Sequence, residues 1–241
     1  MAQKTIAFLG ASTGVGLAAL KICLDAGHHC IALCRNPSKL TTIFDPKKTP
    51  NLVVIQGNAH DVAAVSQCLR ASETQLVDEI VSTIGGAFVW SKMTLDDPTV
   101  CEKGMVTLLE ALSRLRKEGL NGRPRIIVCS TTGMSRFGRD VPLPMVPMYQ
   151  LVLKVPHADK MAMEDKLSAS GEDFTIVRAS LLIDGETKKE VRVGIEDPVK
   201  GLESTAIGYI ISREDAGKWV TRNLIMQKNA KYLNKTATIT Y

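Results

Sequence analysis

Three glycines near the start of the chain have the spacing of a loop that wraps a phosphate group. They stand in the run Gly10-Ala11-Ser12-Thr13-Gly14-Val15-Gly16. Gly10 permits a sharp turn, Gly14 leaves room for a phosphate beside the backbone, and Gly16 permits close packing of a helix on a sheet. Ser12 and Thr13 add hydroxyl donors, and the free amides at the start of the following helix attract anions. The run predicts a dinucleotide site, although its spacing differs from the general Gly-x-Gly-x-x-Gly pattern.

The residues after the second apolar stretch bear on the choice of dinucleotide. A site for NAD usually places an acidic residue here, where it binds the ribose 2′-hydroxyl. The run Arg35-Asn36-Pro37-Ser38-Lys39 contains no acid. Arg35 can pair with a 2′-phosphate or stack on adenine, Lys39 can add a second charge, and we include Asn36 in the same cofactor-binding run. We therefore expect NADP(H) rather than NAD(H), the alternative being that both cations are solvated surface charges.

Strand-like and helix-like patterns alternate around these runs. Strands are expected at Thr5–Leu9, His29–Cys34, Leu52–Ile55, Ile80–Ile84, Arg125–Cys129 and Phe174–Val177, and helices at Val15–Ala26, Val62–Ala71, Thr99–Glu118 and Asp159–Ala169. The third of these helices carries Val106, Leu109, Leu112 and Leu115 on one expected face. Wholly apolar strands separated by helices are typical of a parallel sheet covered on both faces. The fold class is therefore α/β, a Rossmann-like doubly wound parallel sheet.

The pattern changes toward the carboxyl terminus. Glu190–Ile195 and Ile207–Ile211 alternate apolar and polar residues, which predicts a half-exposed hairpin. A helix is expected from Ser212 to about Gln227, starting at a capping box in which Asp215 replaces the commoner Glu. Thr236–Tyr241 is a plausible closing strand.

Length and composition support one domain. The chain has 241 residues, of which 45% are hydrophobic and 23% charged, and this length is near the upper limit for a single hydrophobic core. With no Pro-, Gly- or Ser-rich linker, we expect one NAD(P)-binding domain over residues 1–241. Residues from about 181 to 241 would form a small C-terminal substrate lobe.

Charge and cysteine usage exclude several other classes of protein. The formal net charge is +5, but Lys and Arg are scattered, so no nucleic-acid partner is expected. No apolar run approaches the ~18 residues that span a membrane. The six cysteines lie mostly in apolar runs without a Cys-x-x-Cys pair, which favours free thiols in the cytoplasm and no metal site.

The order of motifs resembles that of the short-chain dehydrogenases/reductases, and specifically their atypical NmrA-like branch of NAD(P)-binding proteins. The resemblance covers nearly the whole chain. It depends on the glycine loop and on Arg35-Asn36-Pro37-Ser38-Lys39, Gly57-Asn58-Ala59-His60-Asp61, Ser82-Thr83-Ile84-Gly85-Gly86, Cys129-Ser130-Thr131-Thr132 and Ser170-Gly171 with Phe174-Thr175-Ile176-Val177-Arg178.

The resemblance implies roles for further residues. Asn58 and Asp61 would lie near the adenine, and the run Thr83-Ile84-Gly85 would line the ribose and nicotinamide. Ser130 would take the place of the catalytic serine that polarises a substrate carbonyl. Lys160 would be the active-site lysine, holding the nicotinamide ribose and favouring a nearby proton donor.

One position departs from the family pattern. The proton-donating tyrosine of the family stands four residues before the lysine, and here that position is Pro156. His157 and Tyr149 are the candidates to replace it, since His titrates near neutral pH and Tyr149 sits in an apolar, Pro-rich loop that runs from Pro142 to Pro147 and beyond. That loop either walls an apolar substrate site or packs against the C-terminal lobe.

The expected activity follows from these residues. It is an NADP(H)-dependent oxidoreductase, acting as a reductase on a small, fairly apolar carbonyl, enone or quinone. The alternatives are a non-catalytic NADP(H)-binding redox sensor, which would explain the missing tyrosine, and an isomerase or cyclase on the same fold. The sequence leaves a monomer and a homodimer equally open.

Overall fold

Thirteen strands and seven α-helices alternate along the described part of the computed structural model, which comprises residues 3–86, 88–89, 94–227 and 229–241. The strands are β1 (Thr5–Leu9), β2 (His29–Cys34), β3 (Leu52–Gln56), β4 (Glu79–Ser82), β5 (Phe88–Val89), β6 (Thr94–Leu95), β7 (Arg125–Thr131), β8 (Phe174–Ala179), β9 (Leu181–Ile183), β10 (Arg192–Asp197), β11 (Gly201–Ser204), β12 (Ile210–Ser212) and β13 (Lys235–Thr240). The helices are α1 (Gly14–Asp25), α2 (Ser38–Thr41), α3 (Val62–Cys68), α4 (Val100–Lys117), α5 (Val146–Leu151), α6 (Lys154–Ser168) and α7 (Arg213–Val220), which continues as a π-helical turn, Thr221–Met226.

Nine strands form the central sheet, in the order β11-β10-β13-β8-β7-β4-β1-β2-β3. From β3 to β13 every neighbouring pair is parallel. Strand β10 alone in this sheet runs the other way, so its pairs with β13 and β11 are antiparallel. The chain moves outward from β1 through β2 to β3, then returns to the other side of β1 for β4. This reversal is the switch point at which doubly wound sheets bind their ligands, and the predicted fold class is confirmed.

Successive side chains of each parallel strand pack alternately into two separate hydrophobic cores, one on each face of the sheet. In β1, Ile6 and Phe8 pack on the face covered by α1 and α7, whereas Ala7 and Leu9 pack on the face covered by α3, α4 and α6. Side chains of neighbouring strand residues point to opposite faces, so a sheet covered on both faces needs apolar residues at consecutive positions.

The buried face of α4 differs from the predicted one. Leu112 and Leu115 are buried as expected, but Val106 is exposed and Leu109 only partly buried. Met105 and other residues replace them in a stripe formed by Cys101, Met105, Leu108, Leu112 and Leu115. The stripe alternates steps of four and three residues, which follows the 3.6-residue turn, whereas repeated steps of three drift around the helix.

Two of the sequence predictions for the second half of the chain are wrong, one about where a helix begins and one about which strands pair. Helix α6 begins at Lys154 instead of Asp159, because Pro156 falls in its first turn, where the missing N–H costs nothing. The hairpin partner of β10 is β11, whereas the predicted partner segment supplies β12, which pairs with β9 in parallel. The β10–β11 turn is closed by the Asp197 carboxylate, which accepts from the Val199 and Lys200 amides, and by Gly201 at φ +94°.

Residues 181–241 are joined to the central sheet. β13 pairs with β8, β10 pairs with β13, and α7 packs on α1. Ser212 caps α7 as expected, because its hydroxyl accepts from the Asp215 amide at 3.0 Å. Among the described residues, no helix combines the length and hydropathy needed to cross a bilayer.

Gly217 allows α7 to approach α1 closely. A β-carbon on Gly217 would lie 2.6 Å from Ala18 Cβ and 2.7 Å from the Val15 carbonyl oxygen. Both neighbours belong to the body of α1, so a side chain at this position would force the two helices apart.

We therefore expect Gly217→Ala to lower the free energy of unfolding by about 1–3 kcal/mol, because overpacking outweighs the ~1 kcal/mol that Ala gains over Gly in a helix. Gly104→Ala in α4 is the matched control. Its β-carbon would meet only the end of the Ile84 side chain, at 3.0 Å, and that end can move aside. Urea unfolding of both variants checks this, and equal stabilities would contradict the close approach of the helices.

Candidate functional site

The glycine loop touches the end of β4 at the switch point of the sheet. Gly10 has φ +91°, and a β-carbon there would lie 2.9 Å from the Thr83 carbonyl group. A β-carbon on Gly16 would lie 2.3 Å from Thr83 Oγ1. The Thr83 hydroxyl itself donates to the Gly10 carbonyl oxygen at 3.0 Å. Gly10 and Gly16 are therefore required because the loop and Thr83 approach each other too closely for side chains at these two positions, whether or not the loop binds a ligand.

The amino terminus of α1 is open to an anion. Thr13 occupies the N-cap position without a side-chain cap, and the first turn of the helix carries no acidic residue. Ser12 is half-buried, Thr13 is exposed, and Val15 is buried beneath the loop. Unsatisfied amides at the positive end of a helix favour phosphate, so the loop fits the dinucleotide predicted from its glycines.

The run after β2 lies exposed beside this loop. Within the described residues, Arg35 and Lys39 have no ion-pair partner among the salt bridges of the structure. Asn36 has a local role, because its Oδ1 accepts from the Ser38 amide and hydroxyl. Two unpaired cations at the carboxyl end of β2 are available to a phosphate group.

Asn58 and Asp61 follow β3 at the same edge of the sheet. The Asp61 carboxylate caps α3 by accepting from the Ala63 amide at 2.9 Å. Asn58 Oδ1 accepts from the His60 amide at 3.2 Å. Both side chains are exposed, and each already has a local structural role besides the adenine contact implied by the resemblance.

The segment after β4, which contains Ile84 and Gly85, leaves its backbone accessible on one side. Ile84 packs toward α4, where a β-carbon on Gly104 would lie 3.0 Å from Ile84 Cδ1. Apart from its two chain neighbours, no described residue has an atom within 4 Å of the β-carbon position of Gly85. This open strip lies between the glycine loop and β7, where the resemblance places the ribose and nicotinamide.

Ser130 and Lys160 meet at the end of β7. Lys160 Nζ donates to the Cys129 carbonyl oxygen at 3.0 Å, which places the ammonium beside the Cys129–Ser130 peptide. Ser130 is 4% exposed, and its hydroxyl has no hydrogen-bond partner among the described residues. The fold therefore places the Lys160 ammonium at the peptide that joins Cys129 to Ser130.

Buried charges hold α6, which carries Lys160, at two points. Asp159 accepts from the Cys101 and Glu102 amides at 2.9 and 2.8 Å and so caps α4 from outside that helix. Glu164 pairs with Arg178 of β8 at 2.7 Å. No role for Asp159 was predicted, since its only sequence signal is its place next to the expected lysine.

Tyr149 and His157 form a buried pair behind β7. Their ring centroids lie 5.5 Å apart, and both rings pack on Gly133, whose φ is +89°. The Tyr149 hydroxyl shares a hydrogen bond with Thr132 Oγ1 at 3.2 Å. Tyr149 lies in α5 rather than in a loop, and Thr132 is a second residue whose role was not foreseen.

Burial changes the acidity of both rings. It lowers the pKa of His157 to about 4, with a smaller contribution from the Lys160 ammonium. It also raises the pKa of Tyr149 above its ordinary value. His157 is therefore neutral and Tyr149 protonated at neutral pH, and His157 is a buried residue.

No group of three or more His, Cys, Asp or Glu residues that could hold a metal occurs in the described ranges. The site is thus built from glycine backbone, a helix terminus, hydroxyls and cations. Together with the switch point of the sheet, these features define an NAD(P)-binding protein of the Rossmann type.

Comparison with known proteins agrees with this class. A family model for NAD(P)H-binding proteins matches residues 10–225, and the chain belongs to that family. It is 38% identical to "Reductase pytE" of Aspergillus terreus, covering 99% of this chain and 98% of that protein. It is 31% identical to "Oxidase pynE" of Aspergillus niger, covering 100% and 99%.

The fold is shared with a short-chain dehydrogenase/reductase of Veillonella parvula, solved in complex with NADP. The TM-score is 0.74 at 14% identity, covering 100% of this chain and 95% of that one. The expected NAD(P)-binding family is thus confirmed, and the structural likeness shows that the fold is the Rossmann-like one. The family match and the two named relatives support an NAD(P)-dependent oxidoreductase.

The depressed pKa of His157 makes stability depend on pH. The unfolded chain binds this proton near the ordinary pKa of 6.5 and the folded chain only near 4, so the stabilisation present above pH 6.5 is lost as pH falls toward 4. Between pH 7 and pH 5 we expect His157→Gln to lose about 2 kcal/mol less stability than the wild type. His29→Gln, at a half-buried position, is the control. Equal losses for His157→Gln and the wild type in urea unfolding would contradict the buried neutral imidazole.

Proposed function

We propose that this protein is an NADP(H)-dependent oxidoreductase that reduces a small, fairly apolar carbonyl, enone or quinone. The observation that carries the proposal is the Ser130 hydroxyl, which is buried and unpartnered within the described structure. It lies at the carboxyl end of β7, next to the Lys160 ammonium. Function is argued from this site rather than from the fold, which hosts many activities.

An unpaired buried hydroxyl is costly unless a ligand completes it. Leaving such a group without a partner costs about 1–3 kcal/mol. Ser130 could donate to a carbonyl oxygen and so stabilise the negative charge that develops there as the carbonyl is reduced. The cost in the free protein is then offset when substrate binds.

Lys160 supports this geometry by its position. Its ammonium is held by the Cys129 carbonyl oxygen at 3.0 Å and retains further N–H groups for a ribose hydroxyl. The bound nicotinamide supplies the hydride in this class of reaction. The protein binds and orients the reactants and supplies a path for the proton that completes the reduction.

Tyr149 is the better supported proton source of the two candidates. His157 is neutral well above pH 4, and an acid with so low a pKa holds no imidazolium proton at neutral pH. Tyr149 keeps its proton and shares a hydrogen bond with Thr132, two residues beyond Ser130. A chain of hydroxyls leading toward Ser130 is what replacement of the family tyrosine at Pro156 would require.

The proposed NADP(H) preference rests on Arg35 and Lys39. A guanidinium binds a phosphate with two parallel hydrogen bonds, and the two cations lie exposed at the end of β2 without competing carboxylates among the salt bridges described. The Veillonella parvula neighbour was solved with NADP, which is compatible with this preference.

The apolar character of the substrate rests on the segment that carries Tyr149. Leu143 and Leu151 are 68% and 80% exposed, and Val155 is also exposed. A cluster of exposed apolar side chains rimming a polar site is typical of a ligand-binding surface. The substrate lobe proposed for residues 181–241 would cover the opposite side.

Ser130→Ala tests the proposed chemistry. Using NADPH with a panel of aldehydes, enones and quinones, we expect the rate on the best substrate to fall about a hundredfold or more, as for loss of one oxyanion donor. Ser66→Ala is the matched control, because the Ser66 hydroxyl is also buried and unpartnered but lies in α3. Unchanged turnover in Ser130→Ala would contradict the assignment.

The same panel separates the alternative functions. Tight NADPH binding by the wild type without any loss of reduced nicotinamide would favour the non-catalytic sensor. Conversion of a substrate without net consumption of NADPH would favour an isomerase or cyclase. Steady oxidation of NADPH that depends on the substrate supports the reductase.

Arg35→Asp tests the choice of cofactor. Reversing the charge should weaken binding of NADPH about tenfold or more while leaving NADH nearly unchanged, because only NADPH has a 2′-phosphate. Lys117→Asp is the control for net charge, since Lys117 is an exposed residue at the far end of α4. Titration of both dinucleotides checks this, and equal weakening of the two would count against the preference.

A further inference from the structure

Helices α1 and α7 run side by side with their amino termini at the same edge of the molecule. Gly14, the first residue of α1, lies against Arg213, the first residue of α7. One turn further on, Ala18 lies against Gly217. The equal spacing of these two contacts shows that the helices run in the same direction. Arg213 is therefore at the glycine loop, although it lies nearly 200 residues away in the sequence.

The Arg213 side chain fills the space that a β-carbon on Gly14 would take. Its Cδ lies 3.2 Å and its Nε 3.7 Å from that position. The positive end of α1 and a guanidinium are thus neighbours, and α1 has no acidic residue in its first turn. Two positive groups side by side favour a site that binds an anion.

The carboxylate that pairs with Arg213 is loosely held. Asp184 Oδ1 lies 2.7 Å from Arg213 Nη1, and the Asp184 side chain is 85% exposed. An exposed ion pair of this kind contributes little to stability and is easily exchanged. The other acids nearby have partners elsewhere, since Glu214 accepts from the Gly185 amide and Asp215 from Thr187.

We propose that Arg213 binds the pyrophosphate of the dinucleotide. Asp184 would form its ion pair with Arg213 only while the dinucleotide is absent. The inference deepens the proposed function and rests on it, because the family match assigns NAD(P)H to residues 10–225 without assigning any role to Arg213. A guanidinium and a pyrophosphate form charge-assisted, two-pronged hydrogen bonds, whereas Asp184 accepts from Arg213 through Nη1 at one carboxylate oxygen.

Arg213 and Arg35 would then bind different phosphate groups of the same dinucleotide. Arg35 follows β2 and is proposed for the 2′-phosphate, which only NADP(H) carries. Arg213 lies over Gly14, where the family pattern puts the pyrophosphate common to both dinucleotides. Loss of Arg213 should therefore weaken NADPH and NADH alike.

The test is a double-mutant cycle on dinucleotide affinity at low salt. R213Q should raise the Kd for both NADPH and NADH about tenfold or more. D184N should lower both Kd values about two- to fivefold, because Arg213 no longer has to leave a carboxylate. In the R213Q background D184N should have no effect, since its partner is gone.

Lys218→Gln is the matched control. Lys218 lies on the same helix and pairs with Glu186 of the same segment, but it is more than one turn beyond Arg213. Its loss should leave both affinities unchanged. Thermal unfolding of every variant without dinucleotide shows whether a change in affinity reflects a change in folding, and the tightening expected for D184N is not produced by mere damage to the structure.

Three results would overturn the inference while leaving the proposed function intact. They are wild-type affinity in R213Q, weakening of NADPH without NADH in R213Q, and equal tightening by D184N with and without Arg213. A wild-type protein that binds neither dinucleotide would instead overturn the proposed function, and with it the inference.

Discussion

The contact between the glycine loop and the end of β4 is the constraint on which the candidate site depends. Thr83 occupies the space that β-carbons on Gly10 and Gly16 would need, and its hydroxyl donates to the Gly10 carbonyl oxygen. Because β1 and β4 are neighbours whose connections leave on opposite sides of the sheet, a crevice opens just beyond this contact. The contact holds the two chain segments together, so the amino terminus of α1 is aimed into that crevice.

Helix α6, which carries Lys160, is positioned from the other side by buried charges. Asp159 accepts from two amides of α4, and Glu164 pairs with Arg178, which also pairs with Glu196 of β10. Breaking one buried pair leaves an uncompensated charge and costs about 3–5 kcal/mol. Lys160 stands between these two anchors on the same helix, so its ammonium is directed to the end of β7 by interactions that make no contact with a ligand.

The parts of the fold and site that follow local patterns could be predicted, and those that depend on distant partners could not. Each apolar strand and the glycine loop is encoded by a short run of consecutive residues. The predicted bounds of β1 and β2 agree with the structure at both ends. The pairing of β12 with β9, the capping of α4 by Asp159 and the contact of Arg213 with Gly14 join segments far apart in the chain. Spacing within a run carries no information about such contacts.

The proline at position 156 has a structural explanation that bears on the chemistry. Because α6 begins at Lys154, Pro156 lies in the first turn, where its fixed φ suits the helix and no hydrogen bond is lost. It occupies the turn before Lys160, so the face that would carry the family tyrosine carries no hydroxyl. Hydroxyls at this end of the sheet are carried instead by Ser130 at the end of β7, by Thr132 just after it and by Tyr149 of α5, which shares a hydrogen bond with Thr132. Under the proposed function a proton would come from Tyr149, while Lys160 would act from α6.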